Sequence, residues 1–280
     1  MQSKRQEEFY SELINNVKEE YSQFADYQEI ALKTLEAFHD VCEKNHITYF
    51  LAYGSLLGAV RDGGQIPWDY DIDVHVPFDQ SVKLIEALQR DLPDGYHFIT
   101  RITNKKFQTN TLKIAPKDFD PEVFHVDVFW LCGINDQNEI NSLMKRASWY
   151  STIMYYRFLD IKYKMFKRRF DRIFFYLNRI MYSIFPISLI DKFYAKHLSN
   201  RWNLGNFCTD NLFEFPFKTS WFKQRLLCRF QNGKSFYVPY NYNEILLSIY
   251  GDFHKIPSLI NRKREYEYAL NRLNVLARIR

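Results

Sequence analysis

The chain has 280 residues, of which 46% are hydrophobic and 25% charged, with a formal net charge of +5. That balance belongs to a globular protein able to bury a substantial core, and it excludes a disordered chain. The small positive excess suits anionic substrates or an anionic membrane surface, and gives no ground by itself for expecting nucleic acid.

The first eight residues carry charges where a leader peptide needs an apolar run. No stretch holds the roughly 18 uncharged apolar residues that span a bilayer. The four cysteines, Cys42, Cys132, Cys208 and Cys228, show no metal-ligand spacing and read as free thiols in a reducing compartment. A cytoplasmic location follows as the expectation, with peripheral contact at the inner membrane face left open.

In chain order, residues 7–45 have helix formers and apolar positions three and four apart, with Ile30, Thr34, Phe38 and Val41 on one stripe and Asn45 as a stop. Residues 47–53 are β-branched and aromatic and predict a strand running into Gly54-Ser55. A short helix over Leu56–Val60 follows, then a loop with Asp62-Gly63-Gly64 and Pro67, then a strand over Tyr70–Val76. Ser81–Asp91 predicts an amphipathic helix with Val82, Ile85 and Leu88 on one side. Further strands are expected over 98–101, 111–114 and 123–130. From about Asn141 the pattern turns helical and rich in Tyr, Phe, Arg and Lys. The expectation is an α/β (α+β) fold, with a mixed-sheet core in residues 1–135 and a helix-rich subdomain in 136–280.

The run Trp68-Asp69-Tyr70-Asp71-Ile72-Asp73-Val74 carries the chemistry. Side chains alternate along a strand, so Asp71 and Asp73 project together while Ile72 and Val74 enter the core. Two carboxylates on one face can hold a hard cation such as Mg²⁺ or Mn²⁺. The upstream Gly54-Ser55 turn offers N–H groups and a hydroxyl to a phosphate. Asp127, between Val126 and Val128, supplies a third carboxylate if its strand lies beside the first, and is then the candidate general base for an attacking hydroxyl. These parts suit metal-dependent phosphoryl-group transfer.

The segments Gly54-Ser55-Leu56-Leu57-Gly58-Ala59-Val60-Arg61 and Ile66-Pro67-Trp68-Asp69-Tyr70-Asp71-Ile72-Asp73 closely resemble the signature of the LicD family, which includes the fukutin-type transferases and belongs to the nucleotidyltransferase superfamily. Lys113, Asp127, Val238-Pro239 and Tyr250-Gly251-Asp252-Phe253 extend the resemblance over roughly residues 25–260. It implies a nucleotidyltransferase-like core that transfers a phosphate-linked alcohol, typically phosphocholine from CDP-choline, to a sugar hydroxyl of a lipopolysaccharide, teichoic acid or capsule precursor. The acceptor is then a glycan or lipid-linked glycan. Tyr70 departs from the pattern, because the family commonly has a third acid there. Ribitol- or glycerol-phosphate transfer, nucleotidyl transfer to a protein or small molecule, and a glycan-binding scaffold without catalysis are the competing readings.

Other residues divide between two roles. Arg61 is a phosphate clamp or the partner of Asp62 or Asp69, and Lys113 is a phosphate contact or a surface lysine. Trp68 stacks on the donor base or, the favoured reading, packs under the loop. Asp69 orients its neighbours or merely enters the strand, and Asp252 positions an acceptor or closes a turn. His75 and His125 are read as polar rim residues. The basic, aromatic run 162–185 is either a helix resting on anionic lipid or a helix whose aromatic face meets the core.

Overall fold

The structure is a computed structural model and describes residues 21–101, 103–107, 109–134, 140–159, 168–195, 206–209 and 215–276. The expected helix before residue 21 lies outside the described residues. From there a 3-10 turn, Ser22–Phe24, leads into α1, Ala25–Lys44, which Asn45 ends by donating its backbone N–H to Val41. Thr34, Phe38 and Val41 are buried and Ile30 is partly buried, as the three-and-four spacing requires.

The stretch expected as strand 47–53 contributes only β1, Phe50–Leu51. Helix α2 spans Tyr53–Arg61, so it starts before Gly54-Ser55 and takes that pair into its first turn. Tyr53 enters it with φ +43°, the left-handed region that a bulky side chain seldom adopts. Ring contacts to His75 at 5.2 Å and Phe129 at 5.4 Å hold Tyr53 there.

Strand β2 is Ile72–Pro77 and helix α3 is Ser81–Asp91. In α3 the buried side is Leu84, Ile85, Ala87 and Leu88, whereas Val82, expected inside, is 62% exposed. Val82 lies on the flank of the stripe, where solvent rather than sheet faces it. Strands β3, Tyr96–Thr100, β4, Leu112–Pro116, and β5, Val126–Ile134, complete the central sheet in the order β1-β2-β5-β4-β3. Only β2 and β5 run parallel; the other neighbours are antiparallel.

The helices described next are α4, Ile140–Phe158, α5, Arg169–Ser183, and α6, Ile187–Ala195. The remaining chain also forms strands, which its short, mixed runs did not announce. Strand β6, Phe207–Thr209, pairs with the far end of β5 and with β7, Phe217–Lys218, so the main sheet gains strands from the C-terminal half. A hairpin of β8, Arg225–Arg229, and β9, Ser235–Pro239, forms its own two-stranded sheet packed beside β1, followed by α7, Tyr242–Tyr250, and α8, Leu259–Leu276.

The core lies between one sheet face and α1. Ile72, Val74 and Val76 of β2, Leu112 and Ile114 of β4, and Val126 and Val128 of β5 are fully buried there. The alternate residues face the other way, and this second face carries the candidate chemistry. No described helix is long and apolar enough to cross a membrane.

Candidate active site

In-register pairing aligns three charged residues across three strands. Asp73 is the register partner of Asp127 on β5, and Asp127 is the partner of Lys113 on β4. The next row, His75 and Phe129, packs with Tyr53, Phe217 and Phe222, so aromatic rings close the face on one side of the acids. His75 is thus 1% exposed and part of an aromatic cluster, not a polar rim.

Asp127 is held by its surroundings. Burial works to raise its pKa, but the charge of Lys113 and the hydrogen bond with His125 outweigh that and keep it below the usual carboxylate range. His125 Nε2 stands 3.4 Å from Asp127 Oδ2. Burial and then Lys113 lower the pKa of His125 itself, which favours the neutral ring. Lys113 is buried rather than a surface lysine, with Glu122 at 3.9 Å and the Phe107 ring at 6.0 Å. Asp127 Oδ1 is buried without a hydrogen-bond partner among the described residues.

The strand begins at Ile72, so Asp71 stands just before it and not within it. There it meets Asp69, and the two carboxyls hydrogen-bond to each other. Burial, then the neighbouring Asp71 and Asp73, raise the Asp69 pKa well above the ordinary value. Two such groups cannot both be charged at low cost, so a proton or a cation must lie between them. Gln28 fixes the loop that brings them there, donating to the carbonyls of Ile66 at 3.0 Å and Asp69 at 2.6 Å. Tyr70 turns away from the acids: its ring meets Phe24 at 5.8 Å and Phe124 at 6.3 Å, and its hydroxyl donates to the Val123 carbonyl at 3.4 Å.

The two glycines of α2 permit close approach. A Cβ on Gly54 would stand 2.9 Å from Asp69 Oδ2. One on Gly58 would stand 2.3 Å from the Gly64 carbonyl oxygen. Ser55 is 4% exposed, and its hydroxyl accepts the backbone N–H of Asp73 at 2.9 Å, tying α2 to the acidic strand. Arg61 donates to both carboxylate oxygens of Asp62, at 2.7 and 2.9 Å. Its guanidinium also lies 5.5 Å from the Trp68 ring centroid, with Arg262 at 5.3 Å. Trp68 is 8% exposed and packs between these two cations beneath the loop.

A cavity of about 560 Å³ opens over this arrangement. Gly54, Arg61, Trp68, Asp69, Asp71 and Asp73 contribute to its wall from the N-terminal elements. Tyr250, Asp252, Lys255 and Glu265 contribute from the C-terminal ones. Ser55, Lys113 and Asp127 are not part of that wall. The cavity size suits a small organic ligand. Asp252 is exposed, in the turn after α7 where Gly251 has φ +66°. Tyr250 is the residue that sequence reasoning passed over. Burial and then Asp73, Asp69 and Asp71 push its hydroxyl pKa up, which marks its closeness to the acids. The one hint was its place beside Gly251-Asp252.

Among the described residues no three His, Cys, Asp or Glu side chains already stand as a metal-ligand set. The chemistry of the donors nevertheless suits a hard cation: the carboxylates of Asp69, Asp71 and Asp73 gather at one wall, and among the described residues Asp127 Oδ1 is a buried acceptor without a hydrogen-bond partner.

The geometry defines an α/β domain with an acidic cleft at the edge of its mixed sheet. Residues 46–175 match the family described as LicD/FKTN/FKRP, nucleotidyltransferase domain. Over an alignment of 262 residues the chain is 26% identical to the lipopolysaccharide cholinephosphotransferase LicD of Haemophilus influenzae, covering 83% of this chain and 91% of that relative. Shorter matches of 58 residues reach the uncharacterized proteins RP689 of Rickettsia prowazekii, 38% identical, and RT0683 of Rickettsia typhi, 36% identical. Each of those two covers 21% of this chain, and 22% and 19% of the respective relative. Residues 46–175 thus carry a LicD-type nucleotidyltransferase domain.

Proposed function

We propose that this protein is a metal-dependent transferase that moves phosphocholine from CDP-choline to a sugar hydroxyl of a lipopolysaccharide-type glycan, working from the cytoplasmic side on a lipid-linked acceptor. The observation that carries the reading is the side-by-side placement of Asp73 and Asp127, next to the Asp69–Asp71 pair. The relative from Haemophilus influenzae supplies the choline-phosphate and lipopolysaccharide part of it.

The cavity wall holds Asp69, Asp71, Asp73, Asp252 and Glu265 against Arg61 and Lys255, and Asp62 already neutralises Arg61. Such a wall repels a diphosphate unless a cation intervenes. Asp71, Asp73 and Asp127 would hold Mg²⁺ or Mn²⁺, which when bound would screen the donor phosphates and stabilise the charge that develops on transfer. Gly54, in the cavity wall at the start of α2, would offer its N–H to the donor phosphates, while Ser55 ties that turn to Asp73 and Lys113 adds positive charge behind the acids. Asp127, kept ionised by Lys113 and His125, is the base that takes up the proton of the attacking hydroxyl, reached through Asp73, its register partner in the cavity wall. Asp252 and Tyr250 orient the acceptor at the C-terminal rim. The sugar oxygen bonds to the β-phosphorus, the bond to the bridging oxygen breaks, and CMP leaves.

The test is release of CMP from CDP-choline, CDP-ribitol and CDP-glycerol with Mg²⁺ and a lipopolysaccharide core acceptor. CDP-choline should be consumed fastest. Preference for CDP-ribitol or CDP-glycerol would reassign the donor, and silence with all three would remove the donor class.

A further inference from the structure

Helix α5 uses one side to pack on α4. Phe175 is buried against Tyr155 and Tyr156, Tyr182 stacks on Tyr156 at 5.5 Å, and Arg179 donates to the Tyr156 carbonyl at 2.8 Å. The aromatic face expected against the core is therefore only partly there. Phe170, Ile173, Phe174, Leu177, Ile180 and Ile184 recur at intervals of three and four and form one continuous stripe on the other side. All six are 55–78% exposed. Leu189 of α6 is 61% exposed as well. A surface of this length and regularity has a function when it is left in water.

Its charge indicates what covers it. Residues 162–185 include seven Lys or Arg and a single acid, Asp171. Arg168, Arg169 and Arg172 cluster at the start of α5 and are exposed, while Arg179 turns inward. A second copy docked symmetrically on this face would bring a cluster of arginines near its own image without acids to answer it. An anionic lipid surface answers both features, accepting the apolar stripe among its acyl chains and the arginines among its headgroups. At 15 residues α5 is too short to span a bilayer and would lie in the interface plane. We propose that the exposed face of α5 is a membrane-docking surface for anionic bilayers. This surface stands independently of the reaction proposed above.

The test is sedimentation of the full chain with phosphatidylcholine vesicles, with and without phosphatidylglycerol. Binding should appear with the anionic vesicles and weaken as salt rises. Arg169→Gln and Arg172→Gln should each weaken partitioning about fivefold. An Ile173→Ser/Leu177→Ser/Ile180→Ser variant should no longer sediment, while its circular dichroism melt stays that of the wild type because these side chains make little packing contact. Three results would overturn the proposal: no wild-type binding to anionic vesicles, unchanged binding by the triple variant, or equal binding to neutral vesicles. A wild-type dimer that the triple variant abolishes, without any vesicle binding, would instead assign the face to a second copy.

Discussion

Asp73 and Asp127 are register partners on adjacent parallel strands, so two carboxylates separated by 54 positions in sequence share one row of one sheet face. The pairing makes each essential to the proposed chemistry while neither holds up the core. Asp73→Asn and Asp127→Asn should each lower kcat by roughly 10²–10⁴-fold, the scale of removing a positioned acid–base group. Far-UV spectra should stay near wild type in both; the melting temperature should stay near wild type for Asp73→Asn but fall for Asp127→Asn, which takes the neighbouring charge from buried Lys113. Steady-state kinetics alongside thermal melts checks this, and retained activity in either variant contradicts the assignment.

The Asp69–Asp71 contact predicts a stability profile against pH. Asp69 holds its proton more tightly folded than unfolded, so the folded state binds more protons once the pH passes the ordinary carboxylate value near 4. Stability contributed by this group is full below that value and falls as pH rises toward the raised folded pKa. Asp69→Asn should remove this decline and melt higher than wild type at neutral pH without metal, at the cost of activity. Thermal melts across pH 4–8 in EDTA read it, and identical slopes for both proteins would contradict it.

Two glycines of α2 should separate function from stability. At Gly54 an added Cβ meets the end of the Asp69 side chain, which can shift, so Gly54→Ala should cost under about 1 kcal/mol of stability while lowering activity by displacing the carboxyl. At Gly58 the Cβ meets backbone, which cannot yield cheaply, so Gly58→Ala should destabilise by about 1–3 kcal/mol or more. Chemical denaturation and initial rates on both variants decide the matter. Equal effects at the two positions would show that α2 is not held against the acids as described.

The acidic wall predicts obligatory order in binding. CDP-choline should bind detectably only with a divalent cation, because the wall carries carboxylates without enough cations to balance them. Calorimetric titration with Mg²⁺ and with EDTA measures this; equal affinity in both would contradict it.

The sequence made some of this legible and hid the rest for definable reasons. Helix α3 lay where the pattern put it, from Ser81 to Asp91, because turn residues bracket a clean amphipathic run. Alternation correctly set Asp73 opposite Ile72 and Val74, but Asp71 falls before the strand, where alternation no longer governs direction. Its partner became Asp69, which composition alone could not indicate. Lys113 beside Asp127 depends on strand order, a tertiary fact that a single sequence does not carry. Tyr53 begins a helix with positive φ where β-branched and aromatic neighbours predict strand, since the ring contacts to His75 and Phe129 override local preference. The strands described after residue 206 are five residues or fewer and lack alternation, so tertiary pairing alone defines them.

The most direct measurement is mass analysis of the acceptor glycan after incubation with CDP-choline, comparing wild type with Asp73→Asn, each with Mg²⁺ and with EDTA. The account predicts one phosphocholine added per CMP released, by wild type with Mg²⁺ and in no other condition. Transfer that persists in EDTA, or in the Asp73→Asn protein at wild-type rate, would contradict it.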